Sequence, residues 1–270
     1  MKTPTDWIPS GNARIAAWAA GTGPLVALLH AGVADSRMWR GQFAALARRA
    51  RVVAFDRRGF GQTARAPGDY TQVADLLAVL DTLAPGQPAL LVGCSQGGRI
   101  AIDTALLHPA RVAGLVLIGP GISGGPAVPL PPAVVAFEDT IAAADAAGDK
   151  ARVNALEAWF WLDGPQQPEG RVAGPLRDLF LDMNAIALAA PALGRALPPP
   201  SAYDRLEQVL TPTLVTWGTI DAPDVIAYAE AIAQRVPAAR HQTIPGAAHL
   251  PSMEAPDVVL AMIEGELARL

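Results

Sequence analysis

Short aliphatic runs alternate with longer amphipathic stretches through the first half of the chain. Leu25–Leu29 ends at His30, Arg51–Phe55 ends at Asp56, residues 89–92 lead into Gly93, and 115–118 lead into Gly119-Pro120. Each run has strand length and is apolar without alternation, as expected of strands covered on both faces of a parallel sheet. Between them, residues 36–49, 71–83 and Gln96–Leu107 place apolar side chains at helical spacing. The alternation predicts βαβ units in a doubly wound α/β sheet.

The pattern changes at Ile122. From there to about Arg205 no strand-like run is seen, and helical stretches at 133–147, 151–162 and 176–188 lie between joints rich in Pro and Gly. Pro129-Leu130-Pro131-Pro132 and Pro198-Pro199-Pro200 stop helices and stiffen the chain, which predicts a helical insertion hinged at both ends. Strand patterning resumes at 213–217, followed by a helix at 224–234, a strand at 240–244 and a closing helix from Pro256. The expected organisation is a first core segment 1–121, the insertion 122–205 and a second core segment 206–270.

Composition narrows the class. Of 270 residues, 51% are hydrophobic and 17% charged, the profile of a packed globular protein rather than a disordered one. The net charge of −4 and the dispersed basic residues give no footprint for nucleic acid. One cysteine, Cys94, cannot close an internal disulfide, and no Cys/His grouping suggests zinc or another metal. The N-terminus has no signal-peptide pattern and no apolar run is long enough to span a bilayer, so a cytoplasmic location is expected.

The sharpest chemical signal is Gly93-Cys94-Ser95-Gln96-Gly97, a G-x-S-x-G between a predicted strand and a predicted helix. A serine on such a strained turn is presented to substrate, small neighbours let the backbone bend, and the helix N-terminus favours developing negative charge. A serine hydroxyl needs a base, and a histidine base needs a carboxylate to hold its tautomer. Of the four histidines, His30 precedes and His108 immediately follows the serine's own unit, whereas the fold with this turn orders its triad Ser, acid, His. His241 falls inside a strand. His249, in the loop after the last strand, is the candidate base. Asp221, four residues past the preceding strand in Trp217-Gly218-Thr219-Ile220-Asp221, is the candidate acid. Asp224 is its rival in the same loop and is expected instead to cap the next helix. An oxyanion site needs two backbone donors: the amide of Gln96, and that of Gly32 or Val33 in the loop His30-Ala31-Gly32-Val33.

Taken together, these blocks resemble the α/β-hydrolase superfamily over nearly the whole chain, in its esterase, enol-lactonase and epoxide-hydrolase-like branch. The matching blocks are Leu28-Leu29-His30-Ala31-Gly32 with Trp39, Asp56-Arg57-Arg58-Gly59-Phe60-Gly61, Gly93 to Gly98, His108 to Val112, Gly218 to Asp221 and Gly246 to His249. The resemblance implies an eight-stranded, mostly parallel sheet, a helical cap over the active site, a Ser-Asp-His triad and no cofactor. Two departures matter. Relatives have His-Gly where this chain has His30-Ala31, which leaves the second oxyanion donor open between Gly32 and Val33. The nucleophile is serine, where the epoxide hydrolases and haloalkane dehalogenases of the branch use aspartate.

Hydrolysis of a small-molecule carboxylic ester or lactone is the expected activity. A carbon–carbon bond hydrolase or cofactor-free lyase with the same triad is one alternative, and a hydrolase-like ligand receptor with little turnover is another. Arg99, one turn past Ser95, binds a substrate carboxylate, as a similar S-x-G-G-R in a lyase of the superfamily suggests, or pairs with Asp103 on its own helix, or is a solvated side chain. Of Trp159, Phe160 and Trp161, one is expected to line the substrate pocket and the others to pack, with Trp159 and Trp161 the candidate substrate contacts. Asp56, Arg58, Glu254 and His108 read as bracing residues, and Cys94 is expected to point away from the base.

Overall fold

The computed structural model describes residues 3–270. Among the described residues there are ten strands: β1 (Asp6–Ser10), β2 (Ala13–Ala20), β3 (Leu25–Leu29), β4 (Arg51–Phe55), β5 (Asp69–Tyr70), β6 (Ala89–Cys94), β7 (Val112–Ile118), β8 (Arg195–Ala196), β9 (Thr213–Gly218) and β10 (Ala239–Ile244). Eight form one sheet in the order β1-β2-β4-β3-β6-β7-β9-β10. β2 is antiparallel to both neighbours, and every other pairing in the sheet is parallel.

The helices are α1 (Arg40–Leu46), α2 (Gln72–Leu83), α3 (Gln96–Leu107), α4 (Pro132–Ala146), α5 (Lys150–Glu157), α6 (Pro175–Ala189), α7 (Pro223–Arg235), α8 (Pro251–Glu254) and α9 (Pro256–Leu267), with a π-helix at Ala158–Asp163. Along β3 the side chains alternate between the two faces. Leu25, Ala27 and Leu29 join a cluster with Leu76, Leu80, Ile100 and Ile232 from α2, α3 and α7. Val26 and Leu28 join Leu46, Val259 and Ile263 from α1 and α9 on the other face. Both faces are thus buried, which is why these strands read as unbroken aliphatic runs.

Helices α4 to α6 are inserted between β7 and β9, in the stretch expected to form the cap. Its inner side packs onto the second cluster through Ala158, Leu162, Phe180 and Met183. Three local expectations are corrected. The stretch 36–49 is a 3₁₀ turn, Ser36–Trp39, followed by the short α1, because the Asp35 side chain accepts from the Arg37 amide and tightens the start. The stretch 151–162 is α5 running into the π-helix rather than one α-helix. The insertion is not free of strand: β8 pairs with β5, joining the exit of the cap to the loop after β4. Among the described residues, no helix is long and apolar enough to cross a membrane.

Candidate active site

The chain leaves β6 and turns into α3 at Ser95, with φ 55° and ψ −118°. It is the only non-glycine residue with positive φ among the described residues. Such a conformation costs roughly 1–3 kcal/mol and persists only where its surroundings hold it. Here the Ser95 amide donates to Ile118 O at 3.0 Å, and the Ser95 carbonyl accepts from the Gly121 and Arg99 amides at 3.0 and 3.1 Å. Close packing of α3 on the sheet does the rest. A Cβ on Gly97 would lie 2.3 Å from the Leu29 carbonyl oxygen, and one on Gly93 would lie 2.4 Å from the Gly97 carbonyl. The flanking glycines are therefore demanded by contact, beyond any gain in chain freedom.

The second part of the site comes from the loops after β9 and β10, which bond to each other. The Thr219 and Ile220 amides donate to Ile244 O and Ala247 O at 3.1 and 3.2 Å. This brings Asp221 and His249 together, with His249 Nδ1 lying 2.9 and 3.0 Å from the two Asp221 carboxylate oxygens. Their exposures are 5% and 2%, so the pair is shielded from water. With Nδ1–H donating to Asp221, Nε2 is the free, basic nitrogen. No hydrogen bond joins the Ser95 hydroxyl to His249 in this structure. Asp224 lies in the first turn of α7 instead. It does not cap that helix: Ala222 is the N-cap, and no side-chain cap bond forms. Pro223 at the first helical position takes over the start, and Asp224 contributes only its charge near the helix N-terminus.

The cap reaches His249 directly. The His249 amide donates to Trp161 O at 3.2 Å, and the two rings pack in a tilted contact, 43° between planes, with centroids 4.6 Å apart. Arg171 donates to Asp163 O (2.6 Å), Leu162 O (2.7 Å) and Gly246 O (3.2 Å), and also pairs with Glu254. Glu254 accepts from the Ala248 amide at 3.0 Å, the bracing expected of it. Burial pushes its carboxyl above the usual carboxylate range, opposed by Arg171. Trp161 and Phe160 also line a cavity of about 370 Å³ between the cap helices, with Ile141, Val153 and Leu188. Trp159 turns elsewhere, donating Nε1–H to Gln167 O at 2.7 Å and packing on Phe137.

The amides of Gly32, Val33 and Gln96, the candidate oxyanion donors, have no acceptor among the described residues. Gly32 lies against the Gln96 side chain: a Cβ there would come within 2.8 Å of Gln96 Nε2. Arg99 pairs with Asp103 Oδ2 at 3.5 Å and with Gln72. Arg58 is buried in a pair with Asp75, and Asp56 accepts from the Ser36 and Gln62 amides, so both brace the turn. His30 is buried, and that burial and Arg57 hold its imidazole well below the usual range. His108 closes α3 and His241 lies exposed on β10, stacked on Trp217. Cys94 does face the histidine segment, but through its main chain: Sγ lies 3.5 Å from His249 O. Burial and the Asp221 charge keep the thiol protonated.

Three residues of the site were not foreseen from the sequence: Arg57, Arg171 and Asp163. Arg57 stands in a tandem with Arg58, and of the two only Arg58 forms an ion pair among the described residues. Asp163, fully buried, accepts from the Gly170 and Val172 amides and from Arg177. No local motif marks Asp163 or Arg171, since their partners are made by the fold.

A strained serine at a strand–helix turn, in a sheet whose loops after β9 and β10 hold a buried Asp–His pair, points to a known class. A family model for the alpha/beta hydrolase fold matches residues 24–256, and the chain belongs to that family. It is 28% identical to the pimeloyl-[acyl-carrier protein] methyl ester esterase of Aeromonas hydrophila, over 90% of this chain and 95% of that protein. A solved thermophilic esterase from Thermogutta terrifontis is 28% identical, with a TM-score of 0.74 and 97% of each chain covered. Epoxide hydrolase B of Mycobacterium tuberculosis is 40% identical over 115 residues, which are 40% of this chain and 32% of that protein. Several other curated relatives match over a similarly limited share, about 30% of their length.

Proposed function

We propose that this protein is a serine hydrolase that cleaves a carboxylic ester or lactone through an acyl-enzyme on Ser95. The observation carrying this reading is the buried Asp221–His249 pair, set at the same sheet edge as a serine in a strained turn. In the proposed reaction Ser95 Oγ attacks the carbonyl carbon while His249 Nε2 takes its proton. Asp221 stabilises the resulting imidazolium and fixes its orientation. The tetrahedral oxyanion accepts from the Gln96 amide and from a second amide in the loop at Gly32 and Val33. The Ser95–His249 hydrogen bond forms as substrate arrives, since such bonds are often loose in empty sites. The leaving alcohol takes the proton from His249, and water then releases the acyl group by the same steps.

The cap, residues 122–205, is proposed to cover an apolar part of the substrate, with Trp161 between the cap cavity and His249. Full-length similarity to proteins named as esterases supports ester cleavage. The epoxide hydrolase likeness is confined to part of both chains, and serine here takes the place of the aspartate used in that chemistry. The carbon–carbon alternative drew on Arg99, which is engaged by Asp103 and Gln72.

The test is direct. A fluorophosphonate probe should label Ser95, and Ser95→Ala should abolish hydrolysis of p-nitrophenyl butyrate. Across acetyl, butyryl and hexanoyl esters kcat/KM should rise by up to about four-fold per methylene, corresponding to about 0.8 kcal/mol each, until the pocket is full. Labelling at another residue, or an active Ser95→Ala, would remove the proposal. An unlabelled protein with no ester turnover would favour the receptor reading.

A further inference from the structure

Arg57 and Arg58 are adjacent and both buried, yet they are compensated differently. Arg58 has a carboxylate partner, Asp75, with bonds of 2.8 Å to each oxygen. Arg57 forms no ion pair with a carboxylate among the described residues. Its guanidinium donates from Nη1 to Gln96 Oε1 at 2.6 Å and from Nη2 to Ala31 O at 2.8 Å, and lies 4.4 Å from the Phe60 ring centroid. Burial, with Arg99 nearby, pushes it down to about 9, while Tyr70 and Asp56 act weakly in the other direction. A buried cation without a carboxylate is costly, and a neutral donor would serve as well for packing alone. Uncompensated charge belongs where negative charge is going to develop.

The acceptors of Arg57 show what it acts on. Ala31 O and the Gly32 amide belong to one peptide unit, and in a trans peptide the carbonyl and the N–H point in opposite directions. His30 Nε2 accepts from the Arg57 amide at 3.0 Å, so its Nδ1 carries the proton and donates to Ala31 O at 2.8 Å. These two donors, joined by the Ala34 amide at 3.4 Å, hold the carbonyl, and the Gly32 N–H is turned away from it. Hydrogen bonding to the carbonyl also polarises the peptide and strengthens its N–H as a donor. The other Arg57 acceptor is the side chain of Gln96, the residue whose amide is the remaining oxyanion donor and whose side chain lies against Gly32.

We propose that Arg57 is the positioning residue of the oxyanion site. Its guanidinium ties the Ala31–Gly32 peptide to Gln96, fixing Gly32 rather than Val33 as the second donor, and places a positive charge behind both amides. The inference rests on the reading of Ser95 as the acylated nucleophile. It concerns charge that exists only in the tetrahedral state, so kcat should carry the effect and KM should not.

The experiment compares wild type with Arg57→Met, Arg57→Gln and Arg57→Lys in five measurements. These are thermal midpoint, kcat and KM on p-nitrophenyl butyrate, fluorophosphonate labelling rate, affinity for butylboronic acid, which forms a tetrahedral adduct with a reactive serine, and affinity for butyrate. Arg57→Met should lower kcat by about 100-fold, the order seen when one oxyanion donor is lost, with KM within about two-fold. Labelling rate and boronate affinity should fall in parallel, while binding of planar butyrate stays unchanged. Arg57→Lys keeps the charge and one of the two bonds, so it should recover about ten-fold of that loss. Arg57→Gln, with a neutral donor, should behave like Arg57→Met and serves if the latter does not fold. A folded Met or Gln variant with kcat within three-fold of wild type, or with boronate and butyrate weakened equally, overturns the role of Arg57 alone. Failure of the probe to label wild-type Ser95 overturns the nucleophile reading and this inference with it.

Discussion

The serine and histidine halves of the site are held in different ways. Ser95 is fixed by its own βα junction: backbone bonds to Ile118, Gly121 and Arg99, with α3 packed so closely on β3 and β6 that glycine is required at 93 and 97. His249 belongs to no such unit. Its ring is oriented by Asp221 from a neighbouring loop, its amide is bound by Trp161 O of the cap, and its loop is tied down by Glu254 and Arg171. The proposed nucleophile is built from one local motif and tolerates change elsewhere. The proposed base is assembled from three segments and inherits the stability of each, so the helical insertion helps to support the site.

Removing the orienting carboxylate tests that contrast most strongly. Asp221→Asn should lower kcat by about 10⁴-fold through the wrong imidazole tautomer, whereas Asp224→Asn should leave kcat within about two-fold. Steady-state kinetics on p-nitrophenyl butyrate decides it, and reversed behaviours would make Asp224 the acid. Next is Arg171→Met, which unties the cap from the histidine loop without touching the serine. A misplacement of about 1 Å costs on the order of 100-fold, and partial loosening should cost about ten-fold in kcat. If only the thermal midpoint falls, the cap supports the fold and leaves the base alone.

Smaller effects separate the two tryptophans. Trp161→Ala should lower kcat about five-fold and shift the preferred acyl length, because the ring both packs on His249 and lines the cap cavity. Trp159→Ala removes the bond to Gln167 O and should cost on the order of 3 kcal/mol of stability, with kcat and chain-length preference unchanged. Equal kinetic effects would erase the distinction between them.

The last prediction concerns pH on the serine's side, where Asp56 supports the loop at Ser36. Burial and the nearby Asp35 raise its carboxyl from 3.8 to about 6. The folded state then binds a proton that the unfolded state releases. The contribution is fully present below about pH 4 and is lost as pH rises to about 6, on the order of 3 kcal/mol in all. Urea unfolding of wild type and Asp56→Asn at pH 4, 5, 6 and 7 should show the wild type losing ground to the variant across that window. A constant difference would mean that Asp56 is already charged in the fold at pH 4.

This contrast also explains what was legible in the sequence. The parallel strands stood out because both faces are buried, and the serine turn because its constraints fall within five residues. Asp221 and His249 could be placed because loops after consecutive strands meet at one edge. β1 and β2 left no readable pattern: β2 is an alanine-rich stretch and β1 has five residues. β8 has two exposed residues and exists only because Asp69 and Tyr70 are brought beside it. Arg57 looked like its neighbour because charge shows in a sequence while its compensation does not. Arg171 acts on carbonyl oxygens, which every residue carries and no sequence pattern marks.

The π-helix at Ala158–Asp163 has a consequence for how this chain tolerates insertions and deletions. A π turn holds an additional residue relative to the α-helix it interrupts. Losing one residue there would restore ordinary winding, shifting residues inside the segment by up to about 100° around the axis while the chain that follows stays in phase. Trp161 would rotate off the His249 ring and its carbonyl off the His249 amide, although composition and hydrophobicity would hardly change. The constraint on this segment is therefore one of phase: residue number matters more than residue identity. Deleting Ala158 should damage turnover more than replacing it with glycine, while deleting Gly148, in the exposed turn before α5, should be absorbed locally.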